Sequence, residues 1–136
     1  MTRPDRVGQY LKRRGCPVTI VKGGLSGLID HWEGVVEAVA EGYDLTLDDY
    51  LNDMDMRDIL EGALEFASTD EQEEVAPTVK KVDQKFKSLT VDCPPVWGEA
   101  AARENGHDPE TQWWFFRRPK NPGPDFEIEL QEAGLA

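Results

Sequence analysis

The feature that most constrains the fold is a stripe of apolar residues between residues 25 and 41. Large apolar side chains recur there at intervals of three and four: Leu25, Leu28, Ile29, Trp32, Val35, Val36 and Val39. This spacing places them on one face of an α-helix. The opposite face carries the acidic residues Asp30, Glu33, Glu37 and Glu41. The stripe therefore predicts an amphipathic helix that packs against a core and ends at Gly42.

Three further helical stretches are predicted between residues 46 and 89. Thr46 followed by Asp49 is a variant of the capping box and begins the first of them. Asp55 is suited to capping a second helix, and Ser68 to capping a third that extends to about residue 88. Pro77 lies inside the third stretch, so that helix is predicted either to begin near Pro77 or to kink there.

The two ends of the chain have weaker patterns. The β-branched segment 17–21 predicts a strand or an extended lead-in, which the glycines at 23 and 24 terminate. A short alanine-rich helix is predicted from Trp97 to Glu104, ended by Asn105 and Gly106. Aromatic residues at 113–116 favour a strand, and the proline-rich stretch 118–124 predicts a loop. Residues 125–133 fit either a strand or a helix, and the flanking Pro124 and Gly134 favour the helix.

Together these patterns predict a mainly α fold. We expect a compact bundle of four to five helices with an aromatic-rich C-terminal segment, in which a short strand is an alternative. Residues 1–22 are predicted to form a basic N-terminal arm, anchored by Tyr10 and Leu11, and residues 23–136 a single helical domain.

The charge distribution is strongly uneven. The chain has a net charge of −12, yet residues 25–74 alone contain sixteen acidic residues and one base, Arg57. The basic segments on either side are too weakly charged to neutralise that stretch, so an acidic surface must face water or a basic partner. This balance argues against nucleic-acid binding and against docking on anionic membranes. No apolar run reaches the roughly 20 residues that span a bilayer.

The two cysteines, Cys16 and Cys93, lie far apart and outside any metal-binding or redox motif. A small secreted scaffold usually carries more cysteines, so a reducing cytoplasm is the predicted location. A single disulfide between the two is the alternative.

The densest group of potential ligands is a run of aspartates, which comprises Asp48, Asp49, Asp53, Asp55 and Asp58. Three interpretations stay open: helix capping and solvation, an acidic face for a partner, or a site for a hard cation. An EF-hand does not fit, because the glycine and glutamate that such a loop requires are missing from both possible registers.

A second unusual run combines aromatic residues with arginines, namely Trp113, Trp114, Arg117 and Arg118. These residue types are enriched at the centres of protein interfaces, and aromatic residues next to arginine also bind single-stranded nucleic acid. The structural alternative is that the aromatic rings complete the core and the arginines pair with the acidic segment.

No catalytic motif is present. The only histidines, His31 and His107, are not placed by the sequence next to a nucleophile, and no phosphate-binding loop, nucleophile elbow or zinc-binding helix motif occurs. We therefore expect a non-enzymatic protein without a cofactor.

The sequence favours a small acidic cytoplasmic binding module whose acidic helical face engages a basic protein, as an inhibitor or immunity-type protein does. One alternative is a metal-dependent enzyme or metal-binding domain that uses the Asp48–Asp58 cluster. The other is an oligomerisation module in which the Trp113–Arg118 run forms a homodimer interface.

Overall fold

The computed structural model describes residues 5–136, in which the chain forms six α-helices and one two-stranded sheet. The helices are α1 (Arg6–Arg13), α2 (Val18–Ala40), α3 (Leu47–Phe66), α4 (Thr69–Leu89), α5 (Glu99–Asn105) and α6 (Pro124–Glu132). The strands are β1 (Thr90–Asp92) and β2 (Arg117–Pro119), and a 3₁₀ helix covers Trp113–Phe116. The predicted mainly α fold is confirmed, although with six helices instead of four or five.

Helix α2 contains the apolar stripe, and all seven of its large side chains are buried. The helical segment begins at Val18, so the expectation of a strand or extended lead-in at 17–21 is wrong, whereas the predicted break at glycines 23 and 24 is confirmed by the non-helical backbone of Gly24. The β-branched residues Ile20 and Val21 are half-buried against the core, which outweighs their low helix propensity. Gly24 has a φ of +58° and kinks the helix, a conformation that glycine adopts without a steric penalty.

Helix α3 is a single helix where two were predicted. The Thr46–Asp49 capping box is formed as expected, with hydrogen bonds in both directions. Asp55, however, lies in the middle of α3 and caps nothing. The chain has no helix breaker near this point, and Met54, Arg57 and Leu60 continue the buried face at helical spacing.

Helix α4 begins at a second capping box, formed by Ser68 and Glu71, as the sequence predicted for Ser68. It continues through Pro77 to Leu89 without non-helical residues. The prediction that the helix begins near Pro77 is therefore wrong, because Pro77 lies in the interior of α4. Helices α2 and α4 pack side by side, with Trp32 against Phe86 at a ring-centroid distance of 4.9 Å.

Helix α1 lies within the segment predicted as a basic arm. Its side chains Val7, Tyr10 and Leu11 are buried, and the helix packs against α2 and α3. Tyr10 and Leu11 are thus anchors, as predicted, and residues 6–13 are part of the packed structure. The predicted boundary between residues 22 and 23 falls inside α2, and residues 1–4 of the arm lie outside the described residues.

The C-terminal third closes the bundle. Strands β1 and β2 pair antiparallel, with Val91 opposite Arg118, so β2 occupies the first residues of the predicted 118–124 loop. The aromatic residues before β2 form a 3₁₀ helix rather than a strand. Helices α5 and α6 are confirmed close to their predicted bounds, and Gly106 ends α5 in a left-handed conformation, with a φ of +65°. Within residues 5–136, no helix is long and apolar enough to cross a membrane.

Candidate functional site

The first two residues of the aspartate run lie at the start of α3. Asp48 is exposed, and Asp49 accepts hydrogen bonds from the backbone N–H and hydroxyl of Thr46. Both hydrogen bonds lower the pKa of Asp49, and the one from the backbone N–H has the larger effect. Negative charge at this position is stabilised by the free N–H groups and the dipole of the helix. Asp49 therefore has a structural role.

Asp53 faces α2 instead of solvent. One carboxylate oxygen lies 3.2 Å from Nε2 of His31, and the other accepts a hydrogen bond from the hydroxyl of Tyr43. Burial, and secondarily this hydrogen bond to Asp53, raise the pKa of Tyr43 well above its usual range. Tyr43 stays neutral. Asp53 in α3 thus contacts both His31 in α2 and Tyr43 in the following loop, which links the two helices. His31 thereby contacts a carboxylate within the chain.

Asp55 and Asp58 line a cleft between α3 and the C-terminal segment, which we call the Asp55 cleft. Nε1 of Trp97 donates to Asp55 over 3.1 Å, and Nε2 of Gln112 donates to Asp58 over 3.0 Å. Arg14 lies 3.9 Å from the other oxygen of Asp58. The cleft has a volume of about 430 Å³, and its lining is Arg14, Asp55, Asp58, Trp97, Asn105, His107, Gln112 and Phe115.

The electrostatics of the Asp55 cleft are unbalanced. Burial raises the pKa of Asp55, and the nearby Asp58 raises it further, while the hydrogen bond from Trp97 opposes the increase. Asp55 is thus a carboxylate whose negative charge is poorly compensated by its surroundings.

The aspartate run therefore occupies three separate places and does not form one acidic face. Of its five members, only Asp58 lies within 4 Å of an arginine or lysine nitrogen in the described chain. In residues 5–136, no three carboxylate, imidazole or thiol groups come together in a way that could hold a metal ion.

Trp113 and Trp114 of the aromatic run, together with Trp32, pack around Arg57, which was not among the predicted site residues. Arg57 is only 3% exposed and pairs with Asp83 over 2.8 and 3.1 Å. Its guanidinium carbon lies 4.5 Å from the ring centre of Trp114 and 5.8 Å or less from those of Trp32 and Trp113. Nε1 of Trp32 also donates to Asp83. The sequence contains one indication that Arg57 is unusual, since it is the only base in the acidic segment.

The two arginines of this run are held by the small sheet. Arg117 donates to the hydroxyl and carbonyl oxygens of Thr90 and forms an ion pair with Asp92 at 2.8 Å. Arg118 donates to the carbonyl of Pro119. Trp114 and Phe115 are fully buried. The aromatic rings thus complete the core as one interpretation predicted, but the arginines do not pair with the acidic segment 25–74, because their partners are Asp92 and oxygen atoms of Thr90 and Pro119.

A second acidic surface is a groove between α2 and α4, which we call the α2–α4 groove. Its rim carries four carboxylates, contributed by Asp30, Glu33, Glu71 and Glu74. Its floor is apolar and consists of Leu25, Ile29 and Val75. The acidic part has a volume of about 510 Å³, and no lysine or arginine lines it. In the described chain none of the four carboxylates lies within 4 Å of a basic nitrogen.

The charge of the residues that line the groove changes along its length. Toward the end of α2 it is lined by Glu33, Glu37, Lys81 and Lys85, with Val36 and Val82 between them. The two helices run in the same direction, since Leu25 lies across from Glu71 at one end and Val36 across from Val82 at the other. The groove is therefore acidic at one end and mixed at the other. The sequence assigned Asp30, Glu33 and Glu37 to the solvent face of α2, but it did not indicate that α4 would add Glu71 and Glu74.

Both cysteines are free thiols and partly buried, so the alternative of a disulfide between them is wrong. Burial raises the pKa of the Cys93 thiol to about 11. In a Cys16→Ser variant, we expect Cys93 to react with iodoacetamide at pH 8 about a hundredfold more slowly than free cysteine, because the thiolate is the reacting form. Alkylation should accelerate until the pH approaches 11. A rate equal to that of free cysteine would show that the thiol is not shielded.

No protein-family model, curated protein or solved structure matches the chain. The two acidic surfaces, the α2–α4 groove and the Asp55 cleft, are the candidate sites.

Proposed function

We propose that the protein is a binding module that holds a basic helical segment of a partner protein in the α2–α4 groove. The observation that carries this proposal is the group of four carboxylates, none of which forms an ion pair in the described chain, around the apolar residues Leu25, Ile29 and Val75. A groove between two helices is a common receptor for an amphipathic helix, which inserts apolar residues spaced by three and four.

The charge of the groove selects the partner. Lysine and arginine side chains that flank the apolar face of such a helix would lie next to Asp30, Glu33 and Glu74, whereas an acidic helix would be repelled. Complementary charge accelerates association and suppresses wrong partners, and its effect decreases with salt. The rest of the molecule supports the same selectivity, since the net charge is −12.

The mixed end of the groove gives the partner an orientation. Lys81 and Lys85 would favour acidic residues, or the C-terminus of the bound helix, at that end. A partner helix whose basic residues are concentrated toward one end would therefore bind in one direction.

The proposed function is still that of a protein-binding module, as the sequence predicted, but the proposed binding surface is the α2–α4 groove. The residues predicted for partner binding, from Asp48 to Asp58 and from Trp113 to Arg118, largely contact other parts of this chain. An inhibitor or immunity-type protein is one form that the proposed function takes, and a cytoplasmic location stays a prediction.

The proposal predicts salt-sensitive binding of a synthetic amphipathic helix composed of leucine, lysine and arginine. The probe is titrated by calorimetry at about 50 mM and about 500 mM NaCl. A groove variant combines Asp30→Asn, Glu33→Gln and Glu74→Gln. At low salt we expect this variant to bind the peptide at least about tenfold more weakly than the wild type, because three carboxylates next to the peptide have lost their charge.

A matched control removes the same charge elsewhere. It combines Asp125→Asn, Glu127→Gln and Glu132→Gln, all exposed positions on α6. The control should bind within about threefold of the wild type, since distant exposed charges are screened. Equal weakening in both variants would reduce the interaction to general charge attraction and would refute the groove as the site.

A further inference from the structure

The Asp55 cleft is not used by the proposed function and has the features of a ligand site. Its mouth carries Trp97, which is 38% exposed and is one of the few large apolar side chains left open to solvent. Two carboxylates lie beside the indole, and the Trp97 N–H binds one oxygen of Asp55, which leaves the second oxygen of that carboxylate for another donor. This hydrogen bond thus holds the exposed ring of Trp97 next to the half-buried carboxylate of Asp55.

The opposite side of the cleft is equally well ordered. The ring of His107 stacks on Phe115 at a centroid distance of 4.0 Å and an interplanar angle of 5°. Nδ1 of His107 is buried and has no hydrogen-bond partner in the described part of the chain. Gln112 fixes Asp58 from the same loop. The hydrogen bond from Gln112 therefore holds the Asp58 carboxylate in a fixed position in the cleft.

The charges indicate which ligand fits. Asp55 and Asp58 face a single base, Arg14, whose side chain is 43% exposed and whose nearest nitrogen is 3.9 Å from Asp58. A cation in the cleft would offset the excess negative charge. An aromatic ring beside a carboxylate suits a planar cation, which can stack on the ring and donate a hydrogen bond to the second oxygen of Asp55. A neutral sugar could also stack on Trp97, but it would leave the charge of Asp55 uncompensated.

We propose that the Asp55 cleft binds a guanidinium group, stacked on Trp97 and hydrogen-bonded to Asp55. The group can come from a small free guanidinium compound or from an arginine side chain. The proposal concerns a site other than the α2–α4 groove and does not depend on a partner there.

The proposal is tested by NMR, with the indole N–H signal of Trp97 as the readout. The protein has four tryptophans, and a Trp97→Phe variant assigns the signal. The probes are methylguanidinium, N-acetyl-arginine amide, the neutral isostere N-acetyl-citrulline amide, N-acetyl-lysine amide and glucose. We expect the arginine amide to shift the signal saturably, with the citrulline amide at least about tenfold weaker because it lacks the charge.

Binding of methylguanidinium as well would show that the free group suffices, and binding of the arginine amide alone would point to an arginine within a peptide. An equal response to citrulline, lysine or glucose, or no saturable response to any probe, would overturn the proposal.

Two variants test whether the ligand that shifts the Trp97 signal binds in the Asp55 cleft. Asp55→Asn keeps an oxygen that accepts the Trp97 hydrogen bond but removes the charge, so it should fold and lose at least about tenfold in affinity. Asp48→Asn removes an exposed charge from the same helix and should leave the affinity unchanged. Retention of full affinity by Asp55→Asn, with native circular dichroism, would exclude the proposed site.

Discussion

Replacement of Arg57 by alanine should lower the free energy of unfolding by about 3–5 kcal/mol. Arg57 is almost completely buried, and its guanidinium is held between Asp83 and the rings of Trp32, Trp113 and Trp114. Its removal would leave the Asp83 carboxylate without its bidentate partner and would open a cavity among the tryptophans. Both effects destabilise the folded state. Urea denaturation monitored by tryptophan fluorescence measures the change.

Two further variants separate charge from packing at this position. Arg57→Lys keeps the charge but loses the planar contact with the rings and the bidentate hydrogen bonds, so it should remain destabilised. The double variant Arg57→Met with Asp83→Leu removes both charges and refills the space, and it should recover much of the lost stability. If Arg57→Ala unfolds within about 1 kcal/mol of the wild type, Arg57 is not the centre of this part of the core.

Replacement of Gly62 by alanine should destabilise the protein by about 1–3 kcal/mol, although alanine is the better helix former. Gly62 lies in α3 where α1 crosses it, and a β-carbon there would lie 1.9 Å from the hydroxyl oxygen of Tyr10. Tyr10 cannot easily move, because its ring is buried and stacks on Phe66 at 5.1 Å. Helix α1 would have to shift away from α3.

The matched control is Gly34→Ala in α2. No atom of another part of the described chain lies within 4 Å of the position of the new β-carbon, and Gly34 is exposed. Here the gain in helix propensity should prevail and raise the stability by about 0.5–1 kcal/mol. Thermal unfolding of the two variants should therefore give midpoint shifts of opposite sign. Stabilisation by Gly62→Ala would mean that α1 does not pack closely on α3.

The sequence predicted those parts of the fold that depend on local patterns. The stripe of α2, the capping box at Thr46 and the cap at Ser68 were predicted correctly, because helical spacing and side-chain hydrogen bonds to nearby N–H groups are local properties. The break at Asp55 and the helix start near Pro77 were predicted incorrectly. In both places the local signal is weaker than the packing of a continuous buried face.

The candidate sites were harder to predict because they combine residues from distant segments. The α2–α4 groove joins Asp30 to Glu74, and the Asp55 cleft joins Asp55 to Trp97. The dense aspartate run drew attention to α3, but a helix turns successive side chains through about 100°, so neighbours in sequence face different partners. Asp53 consequently faces α2, while Asp55 and Asp58 face the C-terminal segment.

The most direct test of the proposed function is an NMR titration of the ¹⁵N-labelled protein with the leucine, lysine and arginine helix. The largest amide shifts should map to both walls of the α2–α4 groove, around residues 25–33 of α2 and 71–78 of α4. They should disappear when the acidic rim is neutralised in the groove variant. Shifts confined to the exposed start of α3, or spread evenly over all acidic surfaces, would contradict the proposal that this groove receives the basic partner.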